Sequence, residues 1–314
     1  MNLKNILTFL RAAELGSFTK AAQELGYTQS TVTIQIKQLE NELGILLFDR
    51  IGRKISLTPT GEEFISYANE IMRITLHAKA IGVKPETLRG TLRLGIIESL
   101  FIWRFSDLVP QFHRALPLIS IEARSATSAE LYHMLRQNDV DIAYILDKKI
   151  SKKDCIKSCI KSEKIVFITS PDYPIAVQED ISLSEIVKHP LILAERIAIY
   201  RRELDEAAAR QGIEFMPLLE INNLEVILKL LKKGMGISFL PEYVVRESVY
   251  KGELVILNVI DCEASLWSQI IYHKNKWVTP QMNLVMQLIQ ENVQGIEADP
   301  FVKTQNHCSL GVLT

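Results

Sequence analysis

A chain of 314 residues that is 47% hydrophobic has enough apolar surface to build two or three domains. Its net charge of −1 excludes a uniformly basic nucleic-acid coat but leaves room for one basic face. No run approaches the roughly 18 apolar residues of a membrane span. The opening MNLKNILTFLRAAELG, broken by Lys4, Asn5, Arg11 and Glu14, lacks a signal peptide's apolar core, so a cytoplasmic chain with no membrane partner is expected.

The first 57 residues read as three short helices and a basic hairpin. Gly16 closes the first helix; Ser17 is a good cap for FTKAAQEL, which stops at Gly26; Thr28 caps the third. Val32, Ile36, Leu39 and Leu43 step by 4, 3 and 4, which places them on one buried stripe. The other side carries hydroxyls and amides instead of the usual Glu and Lys: Gln29, Ser30, Thr31, Thr33 and Gln35, with Ile34 and Lys37. Short uncharged polar groups suit a major groove, where carboxylates would meet phosphate repulsion. Ala22, Gly26 and Val32 stand at the offsets of a helix-turn-helix. In FDRIGRKISLT, Arg50, Arg53 and Lys54 flank Gly52 and read as a wing riding on the phosphate backbone. With Ser17 and Thr28 at helix starts, these residues form the candidate DNA contact surface.

Residues 59–89 read as one long helix opened by LTPTGEEF. Phe64, Tyr67, Ile71, Ile74, Ala78 and Ile81 recur every three or four residues, a heptad seam suited to a second copy of the chain.

From residue 90 to 294, apolar strands alternate with helical patterns, the signature of α/β architecture. The pattern divides into lobe I (90–162 and 267–294) and lobe II (163–266). Two crossings between lobes give the hinged cleft of periplasmic solute-binding proteins, and such clefts hold small ligands. Ser99, Thr127, Ser128 and Asn223 stand where helices begin, so each is expected to cap its helix and, by the same geometry, to face an anionic or polar ligand. Glu98 and Leu100 flank Ser99, Arg196 and Tyr200 are placed to reach the cleft from lobe II, and Arg201 and Arg202 read as surface residues. Glu98 is unusual beside an anion site: it either points away or favours an amine-bearing ligand.

Cys155 and Cys159 sit four apart in KKDCIKSCIKSE, a spacing that would bring both onto one helix face, with lysines to lower a thiol pKa. The six histidines lie apart, and no nucleophile motif, P-loop, metal-ligand spacing or dinucleotide fingerprint appears. The reading is therefore a non-enzyme with no cofactor, metal or catalytic residue. The tail 295–314 reads as a flexible extension.

FLRAAELGSFTKAAQELGYTQSTVTIQIKQLENELGILLFDR, the wing IGRKISLTPTGEEF and the following helix together resemble the N-terminal part of LysR-type transcriptional regulators. TLRLGIIESL, LRQNDVDIAYI, SPDYPIA and KGMGISFLP are similar to segments of that family's effector domain, so the resemblance covers about residues 3–292. It departs at Ile34, where the family often has a basic or polar residue, and at Asn138-Asp139, where glycine and another residue are commoner. The resemblance implies double-stranded DNA and a small effector as ligands, a homodimer or homotetramer, and RNA polymerase as partner. Its fold would be a winged helix-turn-helix and linker helix followed by two periplasmic-binding-protein-like lobes. A regulator switched by cysteine oxidation and a solute-binding protein of the same two-lobe plan are the alternatives.

Overall fold

The computed structural model describes residues 1–51, 54–80, 85–149, 152 and 154–295. Its head comprises α1 (Leu3–Leu15), α2 (Phe18–Leu25), α3 (Gln29–Leu43) and the antiparallel pair β1 (Phe48–Ile51) and β2 (Lys54–Leu57), followed by α4 (Pro59–Ala80). Gly16, Gly26 and Gly44 end the three helices with φ of 57°, 68° and 69°, a left-handed turn that glycine adopts without strain. Val32, Ile36 and Leu39 are fully buried against Ile6, Phe9 and Leu10. Phe9 packs 5.5 Å from Phe48 and 5.2 Å from Phe64, so an aromatic cluster ties the three-helix unit to the hairpin and to α4. Glu40 is buried, and its carboxylate accepts the backbone N–H groups of Leu47 and Phe48 at 2.9 and 3.3 Å. Gly61 lets α4 approach that turn, for a Cβ there would lie 2.1 Å from the Leu47 carbonyl oxygen.

The effector half begins with β3 (Gly90–Ile96), then α5 (Glu98–Leu100), a π-helical segment Phe101–Phe105 and α6 (Ser106–Ala115) as one helical run. β4 (Ile119–Ser125), α7 (Ser128–Arg136) and β5 (Ile142–Asp147) complete the first lobe's outward pass. The long β6 (Cys155–Thr169) leads into α8 (Leu183–Ile186), β7 (Ile192–Leu193), α9 (Ile199–Arg210), β8 (Leu219–Glu220), α10 (Leu224–Lys232), β9 (Ser238–Pro241), α11 (Glu242–Tyr250) and β10 (Val255–Ile256). β11 (Ala264–His273) and α12 (Pro280–Gly295) bring the chain back, and α12 packs on α6.

One seven-stranded sheet runs through both lobes in the order β10-β6-β11-β5-β3-β4, with β9 also on β6. β3 pairs parallel with β4 and β5, while β11 runs antiparallel to β5 and β6. β6 and β11 are the two crossings, and Ser162 pairs directly with Trp267.

This sheet corrects the expectation for KKDCIKSCIKSE. Cys155 and Cys159 lie on strand β6, not on a helix, so about 13 Å of extended backbone separates them, well beyond the roughly 7 Å that a disulfide spans between Cα atoms. Ile156 and Ile160 recur four apart, as the cysteines do, so the sequence of this segment carries no period-two pattern to announce a strand. The tail beyond residue 295 lies outside the described residues.

Candidate DNA-reading face and effector cavity

α3 presents Gln29, Ser30, Ile34 and Lys37 to solvent, with Ile34 56% exposed. Thr28 caps the helix, its hydroxyl oxygen accepting the Thr31 N–H at 3.2 Å and lying 2.8 Å from the hydroxyls of Ser30 and Thr31. Thr33 donates its hydroxyl to the Gln29 carbonyl at 3.0 Å. Ser17 caps α2 by accepting the Lys20 N–H at 3.3 Å. Gln35 departs from expectation. Its Oε1 accepts the Thr8 hydroxyl at 2.6 Å, which directs the side chain toward α1 and away from a groove. Arg53 lies outside the described residues, and so do the side chains of Arg50 and Lys54.

The seam expected on α4 divides. Phe64 is buried in its own head, and Ile71 packs partly on the same cluster with Ile65, Ala68 and Met72. The first turns of α4 complete the head core before the helix leaves it, so Phe64 has no face for a second copy. Tyr67 and Ile74 are 59% and 55% exposed, and Ala78 is exposed as well. Ile81 lies outside the described residues.

Between the lobes is a cavity of about 780 Å³ bordered by Glu98, Ser99, Thr127 and Ser128 on one side and by Arg196, Tyr200 and Asn223 on the other. Thr127 caps α7 in a reciprocal box with Glu130, and Asn223 caps α10 by accepting the Val226 N–H at 3.0 Å. α9 opens on the cavity after Ala198, which has no side chain able to cap, so its first N–H groups face the space without a side-chain acceptor. That third helix start was missed because an alanine cap leaves no signature in sequence. Burial, and then Glu225 across the gap, raises the Glu98 carboxyl above its ordinary value. Among the described residues neither Glu98 nor Arg196 has a charged partner. At the rim, Lys148 at the end of β5 reaches Glu203 and Glu206 of α9 at 2.8 and 3.1 Å.

Four expectations for this region are corrected. Ser99 caps nothing, because the cap position of α5 is Ile97; its buried hydroxyl instead shares a 2.7 Å hydrogen bond with the Tyr243 hydroxyl across the lobes. Ser128 follows the cap and donates to the Leu146 carbonyl at 3.3 Å. Leu100 is fully buried core and does not border the cavity. Arg201, read as a surface residue, is 2% exposed. Its guanidinium donates to Asp205 at 2.9 Å, Glu220 at 3.0 Å and the Ala194 carbonyl at 3.1 Å, which fixes the loop that carries Arg196. Asp205 four residues on was the available signal.

A model of the bacterial regulatory helix-turn-helix protein, lysR family, matches residues 3–62, and a LysR substrate binding domain model matches residues 85–294. The chain belongs to the LysR family. It is a transcriptional regulator with a DNA-binding helix-turn-helix and an effector-binding domain of two lobes. Among its relatives, the uncharacterized HTH-type transcriptional regulator YwqM of Bacillus subtilis is 32% identical, covering 93% of this chain and 99% of that protein. GltR of the same organism is 26% identical over 94% of this chain and 98% of its own. In fold, a full-length single-site variant of OxyR from Pseudomonas aeruginosa matches with a TM-score of 0.55 at 21% identity, covering 94% of this chain and 95% of that one. Full-length BenM matches at 0.53 and 21% identity, covering 95% and 97%. No helix among the described residues is long and apolar enough to cross a membrane.

In this LysR regulator the described thiols are not activated. Burial pushes Cys155 up to about 11, with Asp154 adding to the effect, and pushes Cys262 up to about 11. Thiols so protonated at neutral pH are poor nucleophiles.

The Ser99–Tyr243 bond makes a direct stability prediction. Ser99→Ala should cost about 1–3 kcal/mol, because it leaves a buried Tyr243 hydroxyl without its partner. Adding Tyr243→Phe should recover most of that loss in urea unfolding of the full chain. Additive losses in the double variant would mean that the bond contributes nothing.

Proposed function

We propose that this regulator reads DNA through Gln29, Ser30, Thr33 and Ile34, with Ser17, Thr28, Lys37 and the wing residues Arg50, Arg53 and Lys54 on the phosphates. Exposed, pre-ordered hydroxyl and amide groups on α3 support this reading, and Ile34 offers an apolar partner for a thymine methyl. Lys37→Ala should weaken binding to all duplexes alike and lower the log–log salt slope by about one. Gln29→Ala should instead change which sequence is preferred in selection from random DNA. If Lys37→Ala altered preference and Gln29→Ala did not, the division of roles would be reversed.

The observation that carries the effector reading is the single cavity on which Thr127, Ser128, Arg196, Tyr200 and Asn223 converge from both lobes. Three helix starts and Arg196, which has no charged partner among the described residues, favour an acidic group on the ligand. Glu98, which lines the cavity and has no ion-pair partner among the described residues, favours an amine at the other end. We therefore assign the effector as a small metabolite bearing both an acid and an amine. A thermal-shift screen of the full chain should find ligands among amino acids and lose them when either group is removed. Arg196→Ala should raise the required concentration about tenfold or more, the worth of a hydrogen bond to a charged group, without lowering the melting temperature of the free protein. Equal response to the amines and to the amino acids would remove the acid subsite.

Dimerisation is assigned to the exposed face of α4, where Tyr67, Ile74 and Ala78 follow heptad spacing. Ile74→Asp would bury a charge against its symmetry mate, so sedimentation should show monomer at concentrations where the parent protein is dimeric. An unchanged oligomer would place the interface elsewhere. A cytoplasmic location, contact with RNA polymerase and a domain division at about 58, 89 and 294 complete the proposal.

A further inference from the structure

The loop 274–279, between β11 and α12, touches three parts of the chain at once. Lys276 is 5% exposed. Its ammonium reaches Glu14 of α1 at 2.7 Å, Asp141 ahead of β5 at 2.7 Å and the Asn138 side-chain oxygen at 2.5 Å. One ammonium with three N–H donors thus serves the head and lobe I together. Trp277, beside it, lies against the head's apolar cluster, with the Arg11 guanidinium 4.8 Å above its ring. Lys274 accepts from the Asn69 amide through its carbonyl at 3.4 Å and pairs with Glu62 at 3.4 Å, so the same loop also holds α4.

The partners of Lys276 in lobe I are the far ends of elements that border the effector cavity. α7 begins at the cavity with Ser128 and ends two residues before Asn138, whose φ of 59° turns the chain there. β5 starts immediately after Asp141 and carries Leu146 to the cavity wall. β3 carries Arg93, which donates to Asp141 at 2.7 Å and to Asn138 at 3.4 Å, and delivers Ile97 and Glu98 to the cavity at its other end. A helix of about 13 Å and two strands of one sheet are stiff over that span, so a shift at one end is transmitted to the other. Burial of Glu14, Lys276 and Asp141 also makes the junction discrete, since separating the head strands charges that are otherwise mutually compensated.

We propose that loop 274–279 is the joint through which occupancy of the cavity and the pose of the DNA-reading head are coupled. Lys276 is its charged pin and Trp277 its apolar one. The inference rests on the proposed effector site only in taking the cavity as one end of the path. Binding linkage is reciprocal: if a ligand in the cavity biases the head, DNA on the head must bias the cavity by the same factor. DNA can therefore serve as the probe.

The test is hydrogen exchange on the full chain, with and without a duplex that the protein itself has selected from random sequence. Saturating duplex should change exchange at residues 98–100 and 128–131 by about fivefold or more, the lower end of ordinary coupling. In Glu14→Gln, and separately in Lys276→Met, that change should fall below about twofold while the duplex still binds and unfolding stays cooperative. Unchanged exchange at these residues in the parent protein overturns the joint, and so does a full-sized change in Glu14→Gln, the milder of the two variants. A cavity that binds amino acids while DNA leaves residues 128–131 untouched would sink the joint and spare the effector site. Coupled exchange without any metabolite binding would do the opposite.

Discussion

β6 and β11 run antiparallel from lobe I into lobe II, and the rest of the effector domain depends on that ladder. β5 continues the sheet on the lobe I side, and β9 and β10 hang from the far half of β6. Where the strands cross, polar groups are buried within the ladder. Glu163 accepts the Ser268 hydroxyl at 2.9 Å and faces Arg104 at 3.7 Å. Burial raises the Glu163 carboxyl above its ordinary value, and Arg104 and the Ser268 hydroxyl oppose the rise. Two hydrogen-bonded strands resist shear but allow twist, which leaves the lobes one easy relative motion, opening and closing about the ladder. The ion pairs of Lys148 at the rim are more than half exposed on the lysine side and so weak.

The cations of this chain differ in how far the fold satisfies them. Arg201 and Lys276, nearly fully buried, each have three acceptors. Arg196, exposed in the cavity, has no charged partner among the described residues. Both kinds of cation look alike in sequence. What separates them is whether the fold brings acceptors from distant elements: Ala194 and Glu220 for Arg201, and Glu14, Asn138 and Asp141 for Lys276.

That distinction explains what the sequence could convey. The head was legible nearly throughout, because its determinants are local: caps at Ser17 and Thr28, glycines with left-handed φ, and a 4-3-4 apolar stripe. The two lobes and the helix starts at Thr127 and Asn223 were legible for the same reason. Ser99 failed as a cap because the cap position lies two residues earlier, at Ile97, and a distant tyrosine claims its hydroxyl. Phe64 failed because one periodicity serves two faces, and only tertiary contact shows that the first turns of α4 belong to the head. Cys155 and Cys159 failed because a spacing of four means a shared face in a helix but a long separation in a strand.

The uncharged face of α3 imposes its own cost on the head. A helix whose free side carries Lys37 as its one cation and no carboxylate before Glu40 gives up the i, i+4 ion pairs that usually support an exposed helix. Thr33 turns its hydroxyl back to the Gln29 carbonyl, a bond that adds little to helix stability. α3 is therefore held from the other side, by the fully buried Val32, Ile36 and Leu39 and by Glu40, whose carboxylate anchors the following turn. Gln35 adds a side-chain bond to Thr8 of α1. The division along one 15-residue helix is sharp: one face is committed to the core and the other is left free of carboxylates over its first three turns. A local rule broken on one face and compensated on the opposite one is what a surface built to meet another molecule requires.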